Sequence, residues 1–223
     1  IPLIGGSAGD GSSFQQTHVF CDGRFGADRA AMALLTTPLP FQPFKIQHFT
    51  PTDVRLVVTA ADISRRIVME INGRPAVEEY ARAIGVPVET LSADHFAASP
   101  LLVLISGAAY VRSIQKANPN GSLTFFCAIE EGLVLRIAQG GDVVNDMAQS
   151  FTHIREAIGE PLVMIGFDCF LRRLEITQKS CTSEIEDLLK QNHVIGFSTY
   201  GEQFCGVHIT QTLTGVAIGA PRA

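Results

Sequence analysis

Polar side chains that could hold a small molecule cluster near the C-terminus. The stretch from Ile195 to Gly215 predicts two strands joined by a loop of small and polar residues. Tyr200 and Glu202 lie in this loop, where each could present a polar group to a pocket. By the two-residue period of a strand, four polar residues of the second strand share one face: His208, Thr210, Thr212 and Thr214. Such a face is unusual for a core, and the alternative to a binding surface is a solvent-exposed edge.

Nucleophilic, metal and nucleotide chemistry have weaker support. Cys169 precedes Arg172, which could lower the pKa of the thiol, but no triad or G-x-S-x-G pattern accompanies it. A buried structural cysteine is the default interpretation. No two of the six histidines are three or four residues apart, so no local zinc pair exists. The glycine-rich segment from Gly5 to Gly11 lacks the Gly-Lys-Ser/Thr ending of a phosphate loop and predicts a tight turn.

Composition excludes several classes of protein. Hydrophobic residues make up 46% of the 223 residues and charged residues 17%, which predicts a compact globular chain. The net charge of −5 disfavours a nucleic-acid surface. No apolar run approaches the roughly 18 residues of a membrane span. Five cysteines without a CxxC pair, and no signal peptide, predict a reducing cytoplasm. The abrupt apolar start at Ile1 predicts that the chain begins inside a longer protein.

Strand patterns dominate the first seventy residues. Alternation and turn dipeptides predict an antiparallel meander of five strands at 18–21, 31–35, 45–50, 54–59 and 66–71. Further strands are expected at 101–106, 110–115, 123–129, 134–138, 162–167, 194–198 and 207–218. The Asn72-Gly73 dipeptide predicts a hairpin at the end of the fifth strand.

Three helices are predicted. The first opens at Pro75 and ends at Gly85. The second follows Asp142 and has an apolar stripe at helical spacing, made by Val143, Met147, Phe151, Ile154 and Ile158. The third starts at a capping box of Ser183 and Glu186. The predicted fold is therefore α+β, with mainly antiparallel β-sheets covered by about three helices in a layered arrangement.

The C-terminal motif resembles a known family. The string from Gly196 to Glu202, followed by His208 and by Gln211-Thr-Leu-Thr-Gly215, is similar to the closing signature of the FIST C domain. Asp168-Cys169 with Arg172-Arg173 resembles a Cys-and-Arg segment within the same domain.

The resemblance extends upstream. Asn72-Gly-Arg-Pro-Ala76 with Glu79-Tyr80 resembles the junction between the FIST N and FIST C domains. Ile4 to Asp10 and the strands after it resemble the second half of FIST N. The resemblance implies that residues 1–74 are the C-terminal part of a FIST N domain and residues 75–219 a FIST C domain.

What the resemblance implies is a cytoplasmic sensory module of bacterial signal transduction without catalysis of its own. Such domains accompany histidine kinases, cyclic-di-GMP enzymes and chemoreceptors, and bind small ligands such as amino acids. One branch binds haem and senses nitric oxide. Ser198 to Phe204, Ser113 to Lys116 and Thr124 to Cys127 resemble that branch.

Three hypotheses follow, and the sequence leaves the oligomeric state open. In the first, haem binds through His95, with His208 as the second choice of ligand. His95 is preferred because apolar residues flank it in an irregular stretch, and Arg112 could meet a propionate. In the second, a small organic ligand is held by a polar set: Tyr200, Glu202, Gln211, Arg172 and Cys169. In the third, Cys169 serves an enzyme as its nucleophile.

Overall fold

The computed structural model describes residues 1–11, 13 and 15–221. The strands up to residue 75 are β1 (Ile4–Gly6), β2 (Val19–Cys21), β3 (Arg24–Gly26), β4 (Phe41–Ile46), β5 (Phe49–Asp62), β6 (Ile67–Ile71) and β7 (Arg74–Pro75). The next five are β8 (Leu101–Ile105), β9 (Ala108–Arg112), β10 (Ile114–Ala117), β11 (Leu123–Phe125) and β12 (Val134–Gly140). The last five are β13 (Pro161–Cys169), β14 (Val194–Thr199), β15 (Glu202–Phe204), β16 (Val207–Ile209) and β17 (Leu213–Gly219). The α-helices are α1 (Ala76–Ile84), α2 (Ala93–Ala98), α3 (Val143–Ile158), α4 (Phe170–Gln178) and α5 (Thr182–Gln191).

These elements form two compact units. The first unit contains Ile1–Gln47 together with the described residues from Val143 onward, and the second unit contains His48–Asp142. Sheets in both units are mainly antiparallel, which confirms the predicted α+β class. The described residues hold five α-helices rather than about three. The predicted domain boundary after residue 74 divides the chain differently from these spatial units and stays a prediction.

The second unit is built on one eight-stranded sheet. Its path runs β10-β11-β6-β5-β12-β8-β9, and β7 pairs with β6. The hairpin from β5 to β6 places Ile71 against Val58, and Asn72 and Gly73 both take positive φ in the turn that follows. The core of this unit is apolar, and α1 adds Tyr80 to it. Gly85 ends α1 in the left-handed conformation, as predicted.

The first unit combines a four-stranded sheet, a three-stranded sheet and a hairpin. The four-stranded sheet has the order β14-β13-β17-β4, and the three-stranded sheet has the order β1-β15-β16. Strands β13 and β14 are parallel, so a crossover is needed between them, and α4 and α5 supply it. The predicted apolar stripe of α3 is confirmed, because all five residues are buried in the core of this unit.

Several local predictions were wrong. The N-terminal strands do not form one antiparallel meander, because β4 pairs with β17 and β2-β3 form a separate hairpin. The stretch around His95, expected to be irregular, contains α2. Residues 31–35 form no strand, and Met32 is 86% exposed. The predicted strand from 207 to 218 is two strands, because Gln211 takes a φ of 55° and interrupts the ladder. Helix α5 begins after Cys181 without a side-chain cap, so the expected capping box is absent. The sequence patterns also missed α4. Its buried residues are Arg172, Glu175 and Ile176, and two of these three are charged, so no apolar stripe marks the helix.

Among the described residues, no helix is both long enough and apolar enough to cross a membrane.

Candidate functional site

Buried polar residues concentrate where the C-terminal strands of the first unit meet. They lie at the end of β14, at the start of β15, and on both sides of the break between β16 and β17. The buried polar side chains of this stretch are Thr199, Glu202, Thr210, Gln211, Thr212 and Thr214. The alternative of a solvent-exposed edge is therefore wrong. Because the chain breaks at Gln211, the predicted single face of a continuous strand does not form either.

Glu202 is the centre of this cluster. Its side chain is 0% exposed, and the hydroxyls of Thr199 and Thr212 donate to its two carboxylate oxygens over 2.5 and 2.6 Å. Burial raises the pKa of Glu202 to about 8, and the nearby Asp168 carboxylate adds to the rise, while the two threonine hydroxyls oppose it. The group therefore titrates close to neutral pH, unlike an ordinary carboxyl.

Cys169 lies beside Glu202 at the end of β13. Its amide donates to the carbonyl of Thr212 over 3.0 Å, and the amide of Gln211 donates to its sulfur. Burial is the main cause of a strong rise in the pKa of Cys169, and the Glu202 carboxylate adds to it. The thiol therefore stays protonated at neutral pH, whereas a nucleophilic cysteine needs a lowered pKa.

Arg172 brings a positive charge into the same region. It sits in the first turn of α4 and is 1% exposed. One guanidinium nitrogen donates to Asp168 over 2.9 Å, and another contacts the sulfur of Met147 at 3.2 Å. Asp168 lies near the end of β13, four residues before Arg172, so the ion pair connects the end of this strand to the first turn of α4.

Tyr200 connects the cluster to the glycine-rich loop near the N-terminus. Its hydroxyl donates to Asp10 and to the carbonyl of Gly11. A backbone bond from Ser7 to Gly201 and one from Tyr200 to Ser7 hold the two segments together. The loop approaches the ring so closely that a Cβ on Gly9 would lie 2.9 Å from it, which explains the glycine at this position.

The predicted ligand residues thus fall into one network with two extensions. Thr212 bonds to both Cys169 and Glu202, and the backbone amide of Gln211 bonds to the sulfur of Cys169. Arg172 joins them through Asp168. Tyr200 directs its hydroxyl away from this network, toward the loop.

Three members of the network and its loop were not predicted as ligand residues, namely Asp10, Asp168 and Thr199, whereas Thr212 was noted as part of the polar strand face. The pairing of Asp168 with Arg172 has no helical signal in the sequence, because Asp168 lies on β13 and only Arg172 lies on α4.

The surroundings of His95 do not fit the expected haem pocket. Its Nδ1 lies 2.9 Å from the hydroxyl of Ser92, so the ring interacts with the start of its own short helix. The apolar residues that were expected to line the haem pocket after His95 do not line a cavity. Phe96 and Leu101 instead pack into the core of the second unit. Haem ligation by His95 stays a prediction to which the local packing gives no support.

His208 is similarly engaged. Its Nδ1 lies 2.8 Å from the side-chain amide of Gln203, and a Cβ on Gly201 would approach its Nε2 to 2.6 Å. Both ring edges therefore face protein groups. In the described part of the chain, no group of three or more His, Cys, Asp or Glu side chains is arranged to hold a metal ion.

Comparison with known proteins gives a family for both parts of the chain. Residues 76–205 match the FIST C domain, and residues 1–74 match the FIST N domain. An uncharacterized protein of Methanocaldococcus jannaschii is 23% identical over 235 residues, which cover 91% of this chain and 45% of that protein. The chain therefore spans about half the length of the curated relative it matches. No solved structure matches it.

Proposed function

Because the chain belongs to the FIST family, whose domains are sensory, ligand-binding modules of signal transduction, we propose that it senses a small organic zwitterion through the network around Glu202. The observation that carries the proposal is the burial of two ionisable side chains, Glu202 in the family's C-terminal signature and Arg172 in the Cys-and-Arg segment, within one polar network. Arg172 is 1% exposed and Glu202 is 0% exposed in a stretch of buried hydroxyl and amide groups.

An amino acid fits this chemistry. A guanidinium binds a carboxylate through paired hydrogen bonds, and Glu202 with Asp168 offers carboxylates to an ammonium group. The ligand would replace the contacts of Arg172 with Asp168 and Met147 by contacts of its own. Gln211 and Tyr200 lie on the segments that border the network, and the loop from Gly5 to Gly11 is the segment that could open to admit a ligand.

Proton release gives the proposal a specific signature. With its pKa at about 8, Glu202 carries a proton at neutral pH, and an arriving ammonium group favours the ionised form. Ligand binding is therefore expected to release a proton and to strengthen as the pH rises through about 8.

The test is calorimetry of the purified protein with a panel of free amino acids in buffers of different ionisation enthalpy. We expect one amino acid to bind with release of about one proton. Glu202→Gln should abolish the proton release, and Arg172→Lys should weaken binding at least about tenfold, because lysine lacks the planar fork of arginine.

The matched control is Arg173→Lys, the adjacent exposed arginine, which should bind as the wild type does. Binding that is unchanged in both Glu202→Gln and Arg172→Lys would contradict the site. The absence of any amino acid that binds would contradict the ligand class.

Haem-based nitric oxide sensing is the competing ligand chemistry, and the resemblance of three segments to the haem-binding branch is its support. An absorption spectrum with and without added haem tests it. A Soret band that disappears in His95→Ala would favour haem bound through His95. A band that disappears only in His208→Ala would show that the residue bound to the iron lies in the first unit.

The proposal places the protein in the cytoplasm and gives it no catalytic step. The raised pKa of Cys169 argues against a thiolate nucleophile. The output would be a change in conformation that a histidine kinase, a cyclic-di-GMP enzyme or a chemoreceptor reads.

A further inference from the structure

The four-stranded sheet of the first unit has two edge strands that differ in how they are protected. Strand β4 ends the sheet on one side and contains Pro43 and Lys45. The carbonyl of Pro43 accepts a hydrogen bond from the side chain of Gln42 over 3.1 Å, and proline has no N–H to donate. Proline and lysine are residues with which proteins keep an edge strand from pairing with another chain. Strand β14, on the other side, has the sequence Val-Ile-Gly-Phe-Ser-Thr and contains neither.

The backbone of β14 presents hydrogen-bonding groups on its outer side. Within the described part of the chain, β14 pairs only with β13. The amide of Met164 on β13 donates over 3.0 Å to the carbonyl of His193, the residue before β14. Backbone groups alternate between the two sides of a strand, so Ile195 and Phe197 bond to β13 and their neighbours point outward. The outward-pointing residues are Val194, Gly196 and Ser198. Among the described residues, no backbone hydrogen bond from outside the sheet reaches these three.

The exposed side chains of β14 are large and apolar. Val194 packs against the core of the first unit, and since side chains alternate along a strand, Ile195 and Phe197 lie on the opposite face of the sheet. Ile195 is 60% exposed and Phe197 is 52% exposed. The ring of Phe197 meets the ring of Phe167 edge-on, with the centroids 5.4 Å apart, so the apolar surface continues onto β13. No residue of β14 is charged.

We propose that β14 pairs antiparallel with β14 of a second copy of this chain, about a two-fold axis at Gly196, and so joins the two four-stranded sheets into one. A two-fold interface brings the same surface to both partners, so the surface has to be complementary to itself. The outward-pointing residues are placed symmetrically about Gly196, and so are the two exposed apolar side chains.

The symmetry fixes the contacts. With Gly196 opposite Gly196 of the second copy, Val194 lies opposite Ser198, and these positions exchange backbone hydrogen bonds. Ile195 then lies opposite Phe197 of the second copy, in both halves of the interface. These two form a pair without backbone bonds between them, in which side chains come closest, and an aromatic side chain packs well against a β-branched one. Because β14 supplies both sides of every contact, a second copy fits this edge without any other partner.

The first test is sedimentation velocity of the purified chain over a range of concentrations, where we expect a reversible dimer. Ile195→Lys and Phe197→Glu should each weaken the dimer about tenfold or more, because each places an unpaired charge in an apolar contact. Gly196 is left unchanged, since a Cβ there would lie 1.8 Å from the carbonyl oxygen of Gly166 and disturb the sheet itself. The matched control is Phe41→Lys, a 45% exposed aromatic residue on β4, which should dimerise as the wild type does.

Mixing the two variants tests the register. In an equimolar mixture of Ile195→Lys and Phe197→Glu, the introduced lysine lies opposite the introduced glutamate in one half of the interface, and the other half keeps its apolar pair. Opposite charges across a strand pair are favourable, so the mixture should dimerise more strongly than either variant alone. Recovery in the mixture also shows that both variants are folded.

Hydrogen exchange followed by NMR locates the contact. The amides of Val194, Gly196 and Ser198 should exchange more slowly at high protein concentration than at low concentration, while the amides of β4 keep the same rates. A chain that stays monomeric at its highest soluble concentration would overturn the proposal, as would a mixture no stronger than the single variants. Equal weakening by Phe41→Lys would overturn it in favour of packing between sheet faces.

Discussion

The two units each bury a glutamate, and they do so in opposite ways. In the second unit, Glu79 is 1% exposed, and the side chains of Arg82 and Asn72 donate to its carboxylate over 2.5–2.8 Å. The hydrogen bonds of Arg82 lower the pKa of Glu79 to about 2. In the first unit, Glu202 has two neutral hydroxyls and a neighbouring carboxylate, and burial raises its pKa to about 8.

The opposite pKa shifts indicate that Glu79 has a structural role and that Glu202 is a candidate for ligand binding. The side-chain amide of Asn72 donates to Glu79, and its side-chain oxygen accepts the backbone amide of Val57, so the glutamate holds the turn after β6 against α1. Its charge is compensated locally, by residues close in sequence. Within the described part of the chain, the side-chain donors to Glu202 are the neutral hydroxyls of Thr199 and Thr212, and Glu202 lies in the family's signature. A buried group whose charge is left to be compensated by something else is a candidate for ligand binding.

The largest expected effect is the pH dependence of stability that Glu202 causes. Because its pKa rises from 4.5 unfolded to about 8 folded, the folded state holds a proton that the unfolded state has lost. Stability should therefore fall as the pH rises from about 4.5 to about 8, by up to about 5 kcal/mol. Glu202→Gln removes this loss, so the variant should be more stable than the wild type at pH 9 and similar at pH 4.5.

Denaturant unfolding at a series of pH values measures the effect. A difference between Glu202→Gln and the wild type that stays constant from pH 4.5 to pH 9 would contradict the raised pKa, and with it the contrast between the two glutamates.

Removal of the buried guanidinium should have the next largest effect. Arg172→Met keeps much of the side-chain volume but breaks the pair with Asp168, which is 23% exposed and can be hydrated in part. We expect a loss of about 3 kcal/mol in the free energy of unfolding, as for other broken buried pairs. Arg173→Met, one residue further and exposed, should cost less than about 0.5 kcal/mol. Equal losses in the two variants would show that Arg172 is not an essential part of the network.

Much of the scaffold was predictable from the sequence because it depends on local rules. The stripe of α3 repeats at helical spacing and is buried as expected. Gly85 ends α1, and Asn72-Gly73 closes the turn after β6, because each needs a positive φ that few residues accept. These features need no partner from elsewhere in the chain.

The site was less predictable because it depends on long-range pairing. The bond from Tyr200 to Asp10 joins residues that are 190 positions apart, and no period in the sequence links them. The break at Gln211 is a conformation that a non-glycine residue seldom adopts, so alternation alone predicted one strand. The threonines were noticed as an unusual set, but only packing decides that they are buried.

A smaller effect is expected at Glu79, with the opposite dependence on pH. Its folded pKa of about 2 lies below the ordinary 4.5, so its contribution is present above pH 4.5 and is lost as the pH falls toward 2. Glu79→Gln should cost about 1–2 kcal/mol at pH 7, since charged hydrogen bonds to Arg82 are replaced by neutral ones. The cost should shrink below pH 3 in acid unfolding curves. A cost that grows as the pH falls would reverse the assigned sign.

The smallest effect is expected for single tyrosine hydroxyls, one in each unit. Tyr200→Phe removes the donor to Asp10 and Gly11 and should cost about 1 kcal/mol. The local consequence is more specific than the global one. Asp10 also accepts the amides of Gln15 and Gln16, so loss of the tyrosine bond should loosen the carboxylate that holds them.

Hydrogen exchange separates this outcome from a general loss of stability. The amides of Gln15 and Gln16 should exchange faster in Tyr200→Phe, while the amides of β13 keep the wild-type rate. The matched variant is Tyr80→Phe in the second unit, whose hydroxyl donates to the carbonyls of His95 and Ser99. It should lose a similar free energy without any change at Gln15 and Gln16. Faster exchange at those amides in both variants would mean that the loop responds to overall stability. The Tyr200 hydroxyl would then not specifically stabilise the loop that is proposed to admit the ligand.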